Sequence, residues 1–335
     1  MGSVPFDQEQ VTAGLARLAA ALAPGGRCVD AVQRLSGGAS QETWAFEVQV
    51  ADGSVPFVLR RMPEAALDRA RMMAGPEAEA HLISAAGAAG VPVPPVRHVL
   101  RPEDGLGRGF VMERLRGETL GRRIVRDARF AGARRALARQ CGEAMARIHA
   151  LPTEELPALR VSGPQAELQY QLDAHRSHGT VRPVFELAFQ WLRRHCPSEP
   201  ARPVLVHGDF RNGNLVVDER GLVGVLDWEL AHLGDPMEDL GWICVNAWRF
   251  GGIELPVGGF GTREDLFEGY ESAGGRVDAA RVRYWEVLGT LKWGVVCEAM
   301  ARAWISGNER DVEKAAIGRR ASEAEIDLLA LLAPR

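Results

Sequence analysis

The spacing of apolar residues changes period near residue 114. That change restricts the chain to a fold with a strand-rich first part and a helical second part. Trp44, Phe46, Val48 and Val50 alternate with Ala45, Glu47 and Gln49, the period of two that a half-buried strand requires. Ala51-Asp52-Gly53-Ser54 then turns the chain into a second strand over 56–61. Ahead of this hairpin, Val11, Leu15, Leu18 and Leu22 recur at helical spacing over 7–23, and Pro24-Gly25-Gly26 stops the helix. Residues 76–86 return to helical spacing, the prolines of 90–95 force extended backbone, and 109–113 reads as a short strand. Beyond Gly117 helical spacing dominates. Leu137, Cys141, Ala144, Met145 and Ile148 share one face, and 165–175, 183–195 and the chain from Leu266 onward read as helices. Short strands interrupt them at 204–207, 215–217 and 223–226. The expectation is an α+β chain of two lobes, with a small antiparallel sheet in 1–113, a mostly helical 114–335, and a ligand cleft between them.

A chain of 335 residues, 46% hydrophobic and 25% charged, can bury such a core and is neither disordered nor fibrous. Its 40 basic and 44 acidic residues give a formal charge of −4, so no basic excess draws it to nucleic acid or an anionic membrane. Cys28, Cys141, Cys196, Cys244 and Cys297 are widely spaced and form no C-x-x-C pair, which argues against zinc and disulfides and for a reducing compartment. No charged segment followed by an apolar run opens the sequence, and no run of 18 apolar residues occurs. The expected setting is the cytoplasm, with no nucleic-acid or membrane partner, as a monomer or homodimer. Lysine occurs only at Lys292 and Lys314; every other basic residue is arginine.

The chemistry concentrates in His207-Gly208-Asp209-Phe210-Arg211-Asn212-Gly213-Asn214, followed by Asp227-Trp228-Glu229. Asp209 and Asn214 share one polar loop, and Asp227 ends the hairpin that follows it. Three oxygen-bearing side chains at strand ends, with no cysteine or histidine cluster, suit a hard cation such as Mg²⁺. Such a cation neutralises charge in phosphoryl transfer, and a carboxylate left off the metal can deprotonate a hydroxyl nucleophile.

These two segments resemble the aminoglycoside phosphotransferase superfamily, over roughly residues 28–310. The resemblance implies a two-lobed protein-kinase-like fold, ATP as phosphoryl donor and Mg²⁺ as cofactor. It implies Asp209 as catalytic base, Asn214 and Asp227 as metal ligands, and His207 as a brace for the loop, with Gly208 and Gly213 allowing its tight turns. Ser36-Gly37-Gly38-Ala39-Ser40 matches the nucleotide-binding loop, with Ser40 nearest the phosphates. The third strand of a kinase carries a lysine on the phosphates, and this chain has none there. Val58 and Arg60 share a strand face, so Arg60 takes that role and Arg61 points the other way. Glu79, or failing it Glu77, is the expected partner of Arg60. Backbone groups near Glu113 and Leu115 match the hinge that meets the adenine.

L-R-R at 59–61 and D-W-E-L-A-H-L-G-D-P-M-E-D-L-G-W at 227–242 further resemble kinase domains associated with acyl-CoA dehydrogenases, where acceptors are hydroxylated acids or their thioesters. Asp235 and Asp239 read as structural caps or braces. Trp228, Trp242, Trp248, Trp285, Trp293 and Trp304 read as core, or as walls of an apolar acceptor pocket. Glu264, Asp265, Glu268 and Glu271 look like a helix surface rather than the acidic pocket a polycation needs. The resulting expectation is a small-molecule kinase acting on a hydroxyl. An aminoglycoside or macrolide kinase and a nucleotide-binding pseudokinase are the alternatives.

Overall fold

The alternation over 44–50 sits at the centre of a five-stranded antiparallel sheet. The computed structural model describes residues 8–35, 41–62, 73–200, 202–307 and 311–333. The chain divides into two units: Met1–Gly117 with Leu151–Arg160 and Val223–Ala231, and the remainder.

In the first unit, helix α1 (Gln8–Leu22) precedes β1 (Cys28–Leu35), β2 (Glu42–Val50) and β3 (Gly53–Met62). Helix α2 (Pro76–Ala88) separates these from β4 (Val96–Val99) and β5 (Arg108–Glu113). The sheet order is β1-β2-β3-β5-β4, with every neighbouring pair antiparallel. Val11, Leu15 and Leu18 of α1 pack on Trp44, Phe46, Phe57, Leu59 and Val111. The odd positions of β3 therefore face the core, as the period of two requires, and Val58 and Arg60 take the other face. Arg61 shares the core-side face and is 4% exposed, its Nε 3.3 Å from Glu42 Oε2 across the strand pair. The extended segment after Gly90 is pinned by the Val225 N–H, which donates to Pro92 O at 2.8 Å.

The second unit is mostly helical. It contains α3 (Gly121–Arg126), α4 (Ala131–His149), α5 (Pro164–His178) and α6 (Pro183–His195), then β6 (Val204–Val206) and β7 (Leu215–Val217). β8 (Leu222–Val225) begins here and continues into the first unit. β9 (His232–Gly234), α7 (Met237–Trp242), α8 (Arg263–Ser272), α9 (Ala279–Ile305), α10 (Val312–Gly318) and α11 (Ala321–Leu332) complete it. The face of α4 anticipated from its spacing is buried in full, from Leu137 to Ile148. The architecture is the α+β arrangement expected.

Two strands, β4 and β9, and two short helices, α3 and α7, escape sequence periodicity. β4 has four residues, and β9, paired antiparallel with β6, has three, too few to establish a period. All six residues of α7 are buried, so it shows no amphipathic stripe. Among the described residues no helix is long and apolar enough to cross a membrane.

The packing of α1 on the sheet gives a direct test. Leu15 is fully buried in that cluster, so Leu15→Ala is expected to lower stability by about 2–5 kcal/mol. Ala20→Ser on the exposed face should stay within about 0.5 kcal/mol. Urea denaturation followed by circular dichroism measures both.

Candidate functional site

The first unit gathers charge around Arg60. Its Nη2 lies 2.8 Å from Asp227 Oδ1, 3.4 Å from Glu79 Oε1 and 3.8 Å from Glu229 Oε2. Its Nε donates to Gln41 Oε1 at 3.3 Å. Gln41 turns its own Nε2 to Glu79 Oε2 at 2.8 Å and Glu229 Oε2 at 3.4 Å, so one carboxamide ties the cation to two of its counter-charges. Burial opposes the charge on Arg60, but Glu79, Asp227 and Glu229 outweigh it, and its pKa rises. Burial pushes the Glu79 carboxyl up, against the pull of Arg60. Glu77 is elsewhere: its carboxylate takes Arg108 Nε at 2.9 Å on the exposed side of α2, which leaves Glu79 as the partner of Arg60. Arg61 is neither solvated nor near this cluster, because its face is the one that α1 covers.

Asp227 holds a backbone φ of +67°. That left-handed conformation is uncommon outside glycine, although Asp tolerates it better than most. The turn directly after β8 produces it and carries the Asp227 carboxylate to Arg60.

In the second unit the loop after β6 is built around Asp209. Asp209 Oδ1 accepts from Trp242 Nε1 at 2.7 Å and from Arg211 Nε at 3.0 Å. Its Oδ2 accepts from Asn214 Nδ2 at 2.7 Å, and that nitrogen also reaches the Asp209 carbonyl at 3.0 Å. With its amide nitrogen committed, Asn214 keeps Oδ1 as the atom it can offer a cation. Gly208 and Gly213 have φ of +78° and +115°, so the loop uses glycine where other side chains are strained. His207 is fully buried, and its Nδ1 accepts the Asp209 N–H at 3.2 Å.

Helix α7 clamps this loop. Asp239 receives the N–H groups of His207 and Gly208 at 2.8 and 2.9 Å and His149 Nε2 at 3.0 Å. His149 Nδ1 in turn meets the Tyr270 hydroxyl at 2.9 Å. Burial raises the pKa of Asp239, but the hydrogen bonds and charge from His149 and His207 outweigh it, and the net shift is downward. Trp242 follows three residues after Asp239 on the same helix face. Sequence reasoning missed Gln41, Glu229, Arg211 and Trp242. The D-W-E and D-L-G-W strings held Glu229 and Trp242, but no spacing reveals that these side chains turn to Arg60 and Asp209.

The remaining expectations fall as follows. Ser40 and the loop 36–40 lie outside the described residues. The Glu113 N–H is taken by Pro95 O at 2.9 Å, and the Glu113 carboxylate pairs with Arg97. Among the described residues the backbone of Leu115 makes no hydrogen bond, so its N–H and C=O are open to a ligand edge. Asp235 braces α9 by accepting Trp285 Nε1 at 2.9 Å and pairing with Arg281. Trp242, Trp248 and Trp293 form an aromatic cluster with ring centroids 5.1 and 4.9 Å apart. Trp228 belongs to the first unit. The described residues hold no group of three or more His, Cys, Asp or Glu side chains suited to a metal ion. Mg²⁺ fits what is present, since it is bound by one or two carboxylates together with substrate phosphates and water.

Residues 31–276 match the phosphotransferase enzyme family. A probable acyl-CoA dehydrogenase of Arabidopsis thaliana is 26% identical over 317 residues, covering 85% of this chain and 38% of that protein. Acyl-CoA dehydrogenase family member 10 of Mus musculus is 31% identical over 217 residues, covering 61% of this chain and 19% of that protein. The chain therefore spans well under half the length of these relatives. A Ralstonia eutropha protein described as an aminoglycoside phosphotransferase superposes with a TM-score of 0.73 at 20% identity, over 97% of this chain and 98% of that one.

The Asp239 clamp sets an acid limit on stability. A carboxyl whose folded pKa is depressed stabilises the fold above its unfolded pKa, and that contribution is lost as pH falls through the folded value. Asp239→Asn removes the charge from a fully buried acceptor of three donors. It is expected to lower stability by about 2 kcal/mol or more at neutral pH and to flatten the fall in stability below about pH 4. Thermal melts of both proteins from pH 3 to pH 7 measure this.

Proposed function

The chain belongs to the phosphotransferase enzyme family, and from that premise we propose that it is a small-molecule kinase. It moves the γ-phosphoryl group of ATP to a hydroxyl on an acceptor that also carries an acid or thioester group. The observation that carries this reading is the Asp209 loop. A nearly buried carboxylate is fixed by Trp242, Arg211 and Asn214, and that precision of placement is what general-base catalysis needs.

In this reading the acceptor oxygen bonds to the γ-phosphorus as the bond to the bridging oxygen breaks and ADP leaves. Asp209 takes the hydroxyl proton. Asn214 Oδ1 and the Asp227 carboxylate are the ligands for Mg²⁺, which when bound neutralises charge on the phosphate oxygens. Arg60 holds the phosphate chain where kinases use lysine, its planar fork gripping phosphate bidentately. Ser40 is the residue assigned to the phosphates, and backbone groups near Glu113 and Leu115 to the adenine.

Two features favour an acidic acceptor over a polycationic antibiotic. Lys292 Nζ sits 4.7 Å from the ring centroid of Trp242, the side chain that holds Asp209. Among the described residues this ammonium has no ion pair. Two of the carboxylates of α8 are also engaged: Glu268 pairs with Arg139, and Asp265 accepts the Thr262 hydroxyl at 2.7 Å as part of the helix cap.

ADP release measured with ATP, Mg²⁺ and a panel of hydroxylated carboxylic acids, their thioesters and aminoglycosides tests the reading. Turnover is expected with a member of the first two groups. Turnover with aminoglycosides alone would move the assignment to the antibiotic kinases. On the active acceptor, Asp209→Asn is expected to cut kcat by about 10²-fold or more while leaving ATP affinity nearly intact. Unchanged turnover would remove Asp209 as the base.

A further inference from the structure

A cavity of about 160 Å³ opens between α8, α9 and α11 of the second unit. Phe267 of α8, Val282 of α9 and Leu331 of α11 give it apolar walls, and Arg263, Arg283 and Glu286 put charge on its lining. None of these side chains belongs to the Arg60 cluster or to the Asp209 loop. Glu286 is committed already. Its Oε1 accepts Arg249 Nη2 at 3.2 Å and Arg263 Nη2 at 2.8 Å, and its Oε2 accepts Arg263 Nη2 at 2.6 Å. Arg283 is not. It is half-buried, and its Nη2 donates to the Leu331 carbonyl at 3.0 Å. Among the described residues its Nε and Nη1 donate to nothing, and it makes no ion pair.

The neighbouring carboxylates do not fill that gap. Asp278, beside the rim residue Ala279, accepts the N–H groups of Ala280 and Arg281. Asp327 accepts Asn246 Nδ2 at 2.8 Å and lies under the charge of Arg249. Arg249, Arg263 and Arg283 all act on Glu286, so two carboxylates, Glu286 and Asp327, answer three guanidiniums, and Arg283 is the one left over. A guanidinium cannot shed its charge, and its paired N–H groups match a carboxylate.

We propose that this cavity is a second small-molecule site, which takes a carboxylate with a compact apolar body and seats the carboxylate on Arg283. The size fits, since benzene fills an engineered cavity of about 150 Å³ in another protein. The apolar body lies on Phe267, Val282 and Leu331. The repulsion that Glu286 would offer is offset by the two arginines it already holds. The site stands apart from the kinase reading, because it needs neither nucleotide nor acceptor.

Saturation-transfer-difference NMR with the full chain, no nucleotide and sodium benzoate as the probe reads binding directly. Benzoate is expected to bind saturably, and about tenfold more tightly than benzyl alcohol, which keeps the ring and lacks the charge. Arg283→Leu is expected to weaken benzoate by about tenfold and to leave benzyl alcohol little changed. Arg283→Lys keeps the charge without the fork and is expected to recover part of the loss. Ala279→Trp, at an exposed position on the rim, is expected to weaken both probes while preserving the fold, which circular dichroism melts check. Benzoate affinity unchanged in both Arg283→Leu and Ala279→Trp would overturn the proposal, as would equal affinity for the acid and the alcohol. Absence of saturable benzoate binding at tens of millimolar would overturn it too, and each of these results would leave the kinase reading intact.

Discussion

A buried guanidinium is tolerated only where carboxylates surround it, and the first unit is organised to meet that condition at Arg60. Glu79 comes from α2, Asp227 and Glu229 from the turn after β8, and Gln41 from the residue just before β2. Four separate stretches of chain must be in register for the charge to be neutralised. The register of β3 decides it: Arg60 stands opposite Thr43 and Phe110, on the face that α1 does not cover. A slip of one residue in either direction would turn Arg60 onto the face that α1 covers, opposite Glu42 or Trp44.

The second unit solves a different problem. The loop that carries Asp209 exposes backbone donors at His207 and Gly208 in a buried place, where unpaired N–H groups are costly. Asp239 accepts both, His149 holds Asp239, and Tyr270 holds His149. Trp242, one turn along α7, fixes the Asp209 carboxylate itself. A six-residue helix thereby governs both the path of the loop and the aim of its carboxylate.

The sequence was most informative where a period runs long enough to be read. The apolar spacing of α1 and α4 and the alternation of β2 mark elements whose buried faces are those seen. The shared face of Val58 and Arg60 follows from the same alternation. What it left open turns on tertiary reach. Glu77 and Glu79 both lie in the first turn of α2, and only the fold shows that one meets Arg108 and the other Arg60. Arg61 reads only as pointing away from Arg60, because nothing local announces Glu42 across the strand pair. Trp242 and Glu229 belong to strings whose composition was plain, yet their partners lie 33 and 169 residues away in the chain.

The central claim is that Arg60 does here what a lysine does in kinases, with Asp227 as a ligand of the metal. A crystal structure with Mg²⁺ and a non-hydrolysable ATP analogue tests it most directly. The account predicts the Arg60 guanidinium on phosphate oxygens and the cation on the Asp227 carboxylate. An Arg60 still seated on Asp227, with the phosphates held by other side chains, would contradict it.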